Sequence, residues 1–299
     1  MCEEEACDPR RETSQGEWRV LGVPDGMLFY EVRCLIDGPG WSGPAADLGY
    51  RVVLGRSGGY LRRLNGRVTF ADATSVLLTR PGDEMWVAHP LGCGDVYSCL
   101  EVPAEVLAGR PDADWWLDRA GGEGTADDRF ELAHRLLLAD ARRGIDEFEL
   151  AERLHGLLTS VIKRTPAGAM DRDDDVDRAA GRRHATLSDH RRLVNRTREV
   201  LASGGLGLSL TALAREVGSS PHHLSRVFHR VTGRSISTHR NQLRVRAVLD
   251  SLAEDGSSLR DVAARHHFAD QAHLSRVLQR QLGHPPARLR RMLTPSSPG

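Results

Sequence analysis

The sequence predicts an α+β protein, with a β-rich N-terminal part followed by a C-terminal part made only of helices. Three observations predict this arrangement. Short apolar runs separated by turn signals fill residues 17–105, and apolar residues recur at helical spacing from about residue 125. The pentapeptide HLSRV occurs twice, at residues 223–227 and 273–277. A chain of 299 residues is long enough for about two domains.

The N-terminal domain, residues 17–124, is predicted to be a small β-barrel or β-sandwich. Turn-forming pairs follow one another along this segment at the short intervals that antiparallel β-proteins use. Asn65-Gly66 stands between the candidate strands YLRRL and RVTF, and this pair is the strongest short sequence signal for a β-hairpin. Residues 1–16 are highly charged at their start and are expected to be a flexible N-terminus.

A helical hairpin is predicted at residues 125–164, where two amphipathic segments are separated by Gly144. In the second segment Leu150, Leu154 and Val161 share one face, as the helical period requires. This apolar face could pack on the β domain or form a dimer interface, and the sequence favours the two equally.

Residues 165–185 are polar, charged and without hydrophobic periodicity, so they are expected to be a flexible linker. Helical patterning resumes over residues 186–292, and residues 293–299 form a short tail. The segments TLSD, from Thr186, and SLRD, from Ser258, both fit the Ser/Thr-x-x-acid capping box. A helix is therefore expected to begin at each of them.

The two copies of HLSRV belong to a longer repeat, because their flanks also agree. The offset between copies is 49 residues before a predicted turn and 50 residues after it, and one inserted residue in a turn is what a structural repeat tolerates. Each copy is predicted to be a helix, a short turn and a second helix, with Ser220 and Asp270 as the N-caps of the second helices. The matching positions are Leu213/Val262, Ala214/Ala263, Leu224/Leu274, Arg226/Arg276, Val227/Val277, Arg230/Arg280, Gly233/Gly283 and Arg240/Arg290.

Charge and motif together predict that this repeat binds double-stranded DNA. Residues 186–299 hold 18 arginines and 8 acidic residues, a net charge of +10, whereas the rest of the chain has a net charge of −10. Residues near the start of the second helix of a helix-turn-helix meet base edges, and an arginine there can bind guanine through two hydrogen bonds. The predicted base-reading residues are His222, Ser225, Arg226, Gln271, Ala272, Ser275 and Arg276, and the predicted phosphate-binding residues are Arg230, Arg240, Arg280 and Arg290.

The repeat resembles the AraC/XylS family of transcription regulators over residues 186–292. The family pattern A-x-x-x-G-F-x-D-Q-S-H-F-S-R-x-F-K-x-x-x-G-x-S-P-x-x-Y-R stands here as AARHHFADQAHLSRVLQRQLGHPPARLR. The resemblance implies two recognition helices in successive major grooves, held about 34 Å apart by a helix from about Ser237 to Leu252. It also implies an activator that works with RNA polymerase, and a homodimer.

This chain departs from the family pattern at several packing positions. His267 replaces the usual glycine, so a turn with positive φ must be formed by a residue that adopts it less readily. Leu274 and Leu278 replace aromatic residues, and His239 and Leu289 replace the usual tyrosine.

The segment GYLRRLNGRVTFADATSVLLTRPGDEMWVAHPLGCGD resembles the cupin-like N-terminal domains of such regulators. The resemblance implies a domain that responds to an unknown small-molecule effector or to a partner, or one that only dimerises. His89 is the only histidine of its neighbourhood, and one histidine does not make a metal site, which needs three or four ligands. No metal and no cofactor are therefore predicted. Cys93 and Cys99 would share a face of one strand and could form a thiol sensor with Cys34, although buried, inert cysteines are the commoner case.

We expect a cytoplasmic DNA-binding transcription regulator and not an enzyme. No apolar run is long enough to cross a bilayer, the charged N-terminus does not fit a secretory signal, and five cysteines do not suit a disulfide framework. No nucleophile triad, phosphate loop or dinucleotide motif occurs. Two alternatives stay open: a cupin-type metalloenzyme fused to a DNA-binding domain, and a DNA binder controlled by a partner without a ligand.

Overall fold

The computed structural model describes residues 16–36, 38–43, 45–46, 49–92, 94–118, 122–165, 181–254 and 256–294. The predicted α+β architecture is confirmed, because strands fill the N-terminal part and helices fill the C-terminal part. The described strands are β1 (Gly16–Gly22), β2 (Leu28–Cys34), β3 (Ala45–Ala46), β4 (Tyr50–Ser57), β5 (Gly59–Leu64), β6 (Arg67–Asp72), β7 (Ser75–Thr79), β8 (Glu84–Ala88), β9 (Val96–Val102) and β10 (Glu123–Thr125).

Most of the α-helices follow the strands. Two short α-helices lie between β9 and β10, and the others come after β10. They are α1 (Ala104–Ala108), α2 (Asp114–Asp118), α3 (Asp128–Arg143), α4 (Glu147–Arg164), α5 (Gly181–Ala202), α6 (Leu210–Glu216), α7 (Pro221–Thr232), α8 (Ile236–Glu254), α9 (Leu259–Arg265), α10 (Gln271–Leu282) and α11 (Pro286–Leu293).

The strands form two antiparallel sheets. The six-stranded sheet has the order β1-β2-β9-β4-β7-β10, and the four-stranded sheet has the order β3-β8-β5-β6. The hairpin predicted at Asn65-Gly66 is confirmed, since β5 and β6 pair up to Leu64 opposite Arg67. Asn65 and Gly66 both have positive φ, 47° and 84°, which is the conformation that a two-residue turn of this kind requires.

The predicted helical hairpin is also confirmed, as α3 and α4. Asp127 begins α3 by accepting a hydrogen bond from the N–H of Phe130 over 2.8 Å, and Asp146 caps α4 in the same way. Gly144 ends α3 in the left-handed conformation, with φ 80°. One face of α4 is buried in a cluster with the β domain, and it consists of Leu150, Leu154, Leu157, Leu158, Val161 and Ile162. Of the two alternatives for this face, packing within the chain is the one that the structure shows.

Helix α5 begins earlier than the sequence predicts. It starts at Gly181, so Thr186 lies inside the helix, and the expectation that TLSD begins a helix is wrong. The residues before Thr186 include arginine and alanine, which favour helix, and a capping motif cannot stop a helix that is already formed. The second capping prediction is confirmed, because Ser258 Oγ accepts from the N–H of Asp261 over 3.2 Å. Residues 166–180 of the predicted linker lie outside the described part.

Helices α6 to α11 form two units joined by α8, each with its own apolar cluster. The first unit buries Leu213, Leu224 and Phe228 together with Ala73 of the β domain. The second unit buries Leu274 and other residues together with Leu132 of α3, so both units pack on the N-terminal domain. Burial of one such side chain stabilises a fold by about 2 kcal/mol. In the described ranges, no helix has the length and the apolarity that a membrane crossing requires.

Candidate nucleic-acid interface

The two units of the C-terminal part have the same construction. Helices α6 and α9 both have 7 residues, and α7 and α10 both have 12. Four residues separate α6 from α7, and five separate α9 from α10, so the extra residue lies in the second turn as predicted. Gly233 and Gly283 end the second helices with φ 71° and 76°, respectively.

The second helix of each unit begins at a capped N-terminus. Ser220 accepts a hydrogen bond from the N–H of His223 over 3.3 Å, and Asp270 accepts one from His273 over 2.6 Å. Both predicted N-caps are therefore confirmed, and Pro221 follows the first of them at a position where its missing N–H removes no helical bond.

The turn of the second unit holds a histidine in the left-handed conformation. His267 has φ 59°, where the first unit has Gly218 with φ 68°, which confirms the prediction for this position. A left-handed residue other than glycine costs about 1–2 kcal/mol. The imidazole is accommodated by Gly207, because a side chain at Gly207 would lie 3.2 Å from the ring of His267.

The predicted base-reading residues lie on two equivalent faces. His222 and Arg226 of α7 are exposed, as are Gln271 and Arg276 of α10. Ser225 and Ser275 are half-buried at matching positions, and Ala272 is exposed. Within the described chain, Arg226 and Arg276 have no hydrogen bond or ion pair, so both guanidinium groups can bind an external partner.

The four predicted phosphate-binding arginines divide into two pairs. Arg230 and Arg280 are exposed near the ends of α7 and α10. Arg240 and Arg290 are half-buried and donate to backbone carbonyls, to Leu208 over 2.7 Å and to Ser257 over 2.6 Å. Each of these carbonyls directly precedes the N-cap of the first helix of its unit. The structure therefore gives Arg240 and Arg290 a bracing contact that the sequence did not reveal.

Helix α5 places a histidine beside α7. The ring of His190 lies 6.0 Å from the ring of His223, measured between centroids. Burial lowers the pKa of His190, and the positive charges of Arg230 and Arg226 lower it further. Arg226 and Arg230 therefore concentrate positive charge on this side of α7, as a polyanion-binding surface requires.

Helix α8 presents one polar face to the N-terminal domain. His239, Arg246 and Asp250 lie on this face at helical spacing. Arg246 donates to the carbonyls of Ala73 over 2.8 Å and of Ala126 over 2.7 Å. We use the name interdomain polar cluster for Asp72, Arg135, Arg198, His239, Arg246 and Asp250.

The interdomain polar cluster is centred on a buried carboxylate. Asp72 Oδ2 accepts from Arg198 Nε over 2.8 Å and lies 3.1 Å from His239 Nε2. Burial alone would raise the pKa of Asp72, but Arg198 and His239 hold it well below its usual range. At the other end of α8, Arg135 Nη2 donates to Asp250 Oδ2 over 3.3 Å. The helix that joins the two units is thus bound to the N-terminal domain at both ends.

The cysteines of the predicted thiol sensor lie apart where they are described. Cys34 ends β2, whereas Cys99 lies in β9 opposite Tyr30, four positions from Cys34 along β2. Burial raises the pKa of the Tyr30 hydroxyl, and the neighbouring Cys99 raises it further. Cys93 lies outside the described residues.

His89 has neighbours that its sequence position does not show. Its Nε2 lies 3.6 Å from Cys34 Sγ and 2.8 Å from Asp95 Oδ1. Burial disfavours the imidazolium, but the hydrogen bonds with Asp95 and Cys34 outweigh burial and raise the pKa of His89 to about 9. The interpretation of His89 as isolated is therefore wrong in three dimensions, and Asp95 is a residue that sequence reasoning missed.

Comparison with known proteins identifies the C-terminal domain. Residues 213–292 match a family described as a helix-turn-helix domain. Among curated proteins, none matches this sequence.

Several solved structures are similar to the chain. Fatty-acid-bound wild-type ToxT from Vibrio cholerae strain SCE256 has a TM-score of 0.35 and 11% identity, covering 97% of this chain and 100% of its own. The C-terminal domain of AraT, a response regulator from Geobacillus stearothermophilus, has a TM-score of 0.34 and 22% identity, covering 36% and 90%. The DNA-binding domain of the global transcriptional factor AdpA, in complex with a target DNA, has a TM-score of 0.31 and 25% identity, covering 33% and 89%.

The matched segment contains most of α6 and all of α7 to α10, which are the elements whose capped helices and exposed arginines are described above. Residues 213–292 of this chain are therefore a helix-turn-helix domain.

Proposed function

We propose that this protein regulates transcription by binding a specific DNA sequence with α7 and α10, under the control of its N-terminal domain. The observation that carries the proposal is the equivalence of the two recognition faces. Arg226 and Arg276 occupy the same position in two helices of equal length, and both are exposed. An arginine that is only a solvated surface charge has no reason to occur at the same position of both helices.

The proposed DNA site has two short blocks in successive major grooves, about 10 base pairs apart. Arg226 and Arg276 would each bind a guanine, with His222, Ser225, Gln271, Ala272 and Ser275 beside them. Arg230 and Arg280 would bind phosphates, because they are exposed on the same helices. Arg240 and Arg290 would contribute indirectly, by bracing the first helix of each unit.

Control by the N-terminal domain is proposed from the position of α8. This helix connects the two units, so its placement sets the distance and angle between α7 and α10. The interdomain polar cluster binds the same helix to the β domain and to α3. A change in the N-terminal domain that moves Asp72 or Arg135 would therefore reach both recognition helices through α8.

Regulation rather than catalysis is the proposed role, because the segment that matches a known family is a helix-turn-helix domain. Activation with RNA polymerase, a homodimeric state, a cytoplasmic location and a small-molecule effector complete the proposal. These four points rest on the resemblance to AraC/XylS regulators.

Selection of bound duplexes from a random library by the full-length protein tests the proposal. The wild type should enrich two conserved blocks, with Arg226→Ala blurring one base position in one block and Arg276→Ala blurring one in the other. Arg19→Ala, which removes an exposed arginine of β1, is the control and should leave the sequence preference unchanged. Failure to enrich any sequence, or wild-type preference in both recognition variants, would refute the proposal.

A further inference from the structure

Three side chains with metal-binding atoms converge beside the end of β2. Cys34 is the last residue of β2, His89 follows β8 and Asp95 precedes β9. The sulfur, the imidazole nitrogen and the carboxylate oxygen all lie within 4.8 Å of one another. Because the three come from separate segments, their proximity is a property of the fold.

We propose that Cys34, His89 and Asp95 form a binding site for a divalent cation of the Zn²⁺ class. Thiolate, imidazole and carboxylate are the three side-chain ligands that Zn²⁺ uses. A tetrahedral Zn²⁺ with its usual bond lengths places sulfur and nitrogen about 3.5 Å apart. Cys34 Sγ and His89 Nε2 are 3.6 Å apart, so these two ligands already have the required spacing.

The third ligand needs only a small adjustment. Asp95 Oδ1 and His89 Nε2 are 2.8 Å apart, which is a hydrogen-bond distance. Zn²⁺ would require about 3.3 Å between nitrogen and oxygen, which a rotation of the carboxylate provides. The cation would take the place of the proton between the two groups.

The backbone holds these ligands in position. The N–H of Cys34 donates to the carbonyl of Asp95 over 2.8 Å, and the N–H of His89 donates to the carbonyl of Gly38 over 3.0 Å. Gly94 permits the close approach, because a Cβ on it would lie 1.7 Å from the carbonyl oxygen of Cys34. The two chain segments could not meet here if residue 94 carried a side chain.

Burial and access also suit a metal site. The side chains of His89 and Asp95 are 3% and 5% exposed, so water does not compete strongly for them. Cys34 is only half-buried, which leaves a path from solvent. Within the described residues His89 Nδ1 has no hydrogen-bond partner, so the ring is oriented through Nε2. Three protein ligands leave a fourth position for water or another ligand.

Metal titration of the full-length protein tests the site. The protein is reduced, stripped with a chelator, freed of the chelator and titrated with Zn²⁺, and then with Co²⁺ as a spectroscopic probe. We expect one equivalent of tight binding for each metal, and a sulfur-to-Co²⁺ charge-transfer band in the near ultraviolet. Wild-type protein that binds neither metal stoichiometrically, or that shows no such band, would overturn the proposal without the use of any variant.

Variants then assign the ligands. Cys34→Ser should abolish the charge-transfer band and weaken Zn²⁺ binding by about 100-fold or more, and His89→Gln and Asp95→Asn should weaken it similarly. Cys99→Ser is the matched control, because it removes a thiol from the neighbouring strand and should keep the band. A band that persists in Cys34→Ser assigns the sulfur to another cysteine and refutes the site. Circular dichroism of each variant shows whether it is folded. The metal-binding measurements do not require DNA binding, so they test this site separately from the proposed function.

Discussion

Arg198 donates a hydrogen bond from Nε to Asp72 Oδ2 over 2.8 Å, and this contact joins the helix before the two units to the β domain. Both side chains are buried, with exposures of 7% and 0%. His239, which belongs to α8, has its Nε2 atom 3.1 Å from the same carboxylate oxygen. One carboxylate of the β domain thus binds two helices of the other domain.

Removal of this carboxylate should be strongly destabilising. Asp72→Asn leaves the buried Arg198 with only the longer ion pair to Glu123, at 3.3 Å, and breaking one partner of a buried pair costs about 3–5 kcal/mol. Chemical denaturation of the full-length protein measures the change in the free energy of unfolding. Asp112→Asn is the control, since the pair of Arg110 and Asp112 is more exposed and its loss should cost about 1 kcal/mol or less. Equal losses in the two variants would show that Asp72 does not hold the domains together.

The two classes of arginine in the DNA-binding domain should separate in experiment. Arg240→Ala removes a charged hydrogen bond to the Leu208 carbonyl and should lower the free energy of unfolding by about 1–3 kcal/mol. For the wild type, the slope of log affinity against log salt should be near −5 if about six phosphates are bound. Arg230→Ala should leave stability unchanged and make this slope shallower by about 1. If Arg240→Ala kept wild-type stability and made the slope of log affinity against log salt shallower, Arg240 would be a phosphate ligand instead.

The turns of the two units should respond in opposite directions. Gly218→Ala places a side chain where φ is 68°, with nothing within 4 Å of its Cβ, so its cost of about 1–2 kcal/mol is conformational. His267→Gly relieves the equivalent strain, but glycine also gives the unfolded chain more freedom. The free energy of unfolding should therefore rise by no more than about 1 kcal/mol. Thermal unfolding compares the two variants, and destabilisation of equal size in both would contradict the prediction.

Stability should fall as the pH is lowered from 7 to 5. Burial lowers the pKa of His134 to about 4, with Arg56 and Arg135 adding to the effect against Glu131. The unfolded chain takes up this proton near pH 6.5 and the folded chain does not, so stability is lost as the pH falls between 6.5 and 4. The loss from this group is about 2 kcal/mol at pH 5.

His134→Gln should flatten this dependence, because the glutamine does not titrate and can still hydrogen-bond with Ser98, which lies 2.6 Å from His134 Nε2. Burial also lowers the pKa of His239, so some loss toward acid pH remains in the variant. Denaturation curves at several pH values, recorded for both proteins, would reveal a parallel decline if His134 were not involved.

Local signals and repetition made the DNA-binding domain predictable. Ser220, Asp270 and Ser258 act as N-caps through contacts within three residues, which a sequence shows directly. The repeat added a second, independent copy of each signal. The prediction that a helix begins at Thr186 was wrong because a capping motif is only local. Residues before Thr186 also favour helix, so α5 begins at Gly181.

Long-range polar contacts could not be predicted, because nothing along the chain relates their members. Asp72 and Arg198 are 126 residues apart, and Cys34 and His89 are 55 residues apart. Arg240 and Arg290 could be recognised as a matched pair, but their partners are backbone carbonyls, which every residue has. The sequence therefore predicted two equivalent exposed helix faces and missed the contacts that join the C-terminal helices to the N-terminal domain.

Operator spacing tests most directly whether α7 and α10 bind DNA together. Once an operator is known, the affinity of the full-length protein is measured before and after about 5 base pairs, half a turn of DNA, are inserted between the two blocks. If α8 holds both units on one face of the duplex, affinity should fall to the level of a single block. Unchanged affinity for the lengthened operator would mean that the two units do not read DNA as one rigid pair.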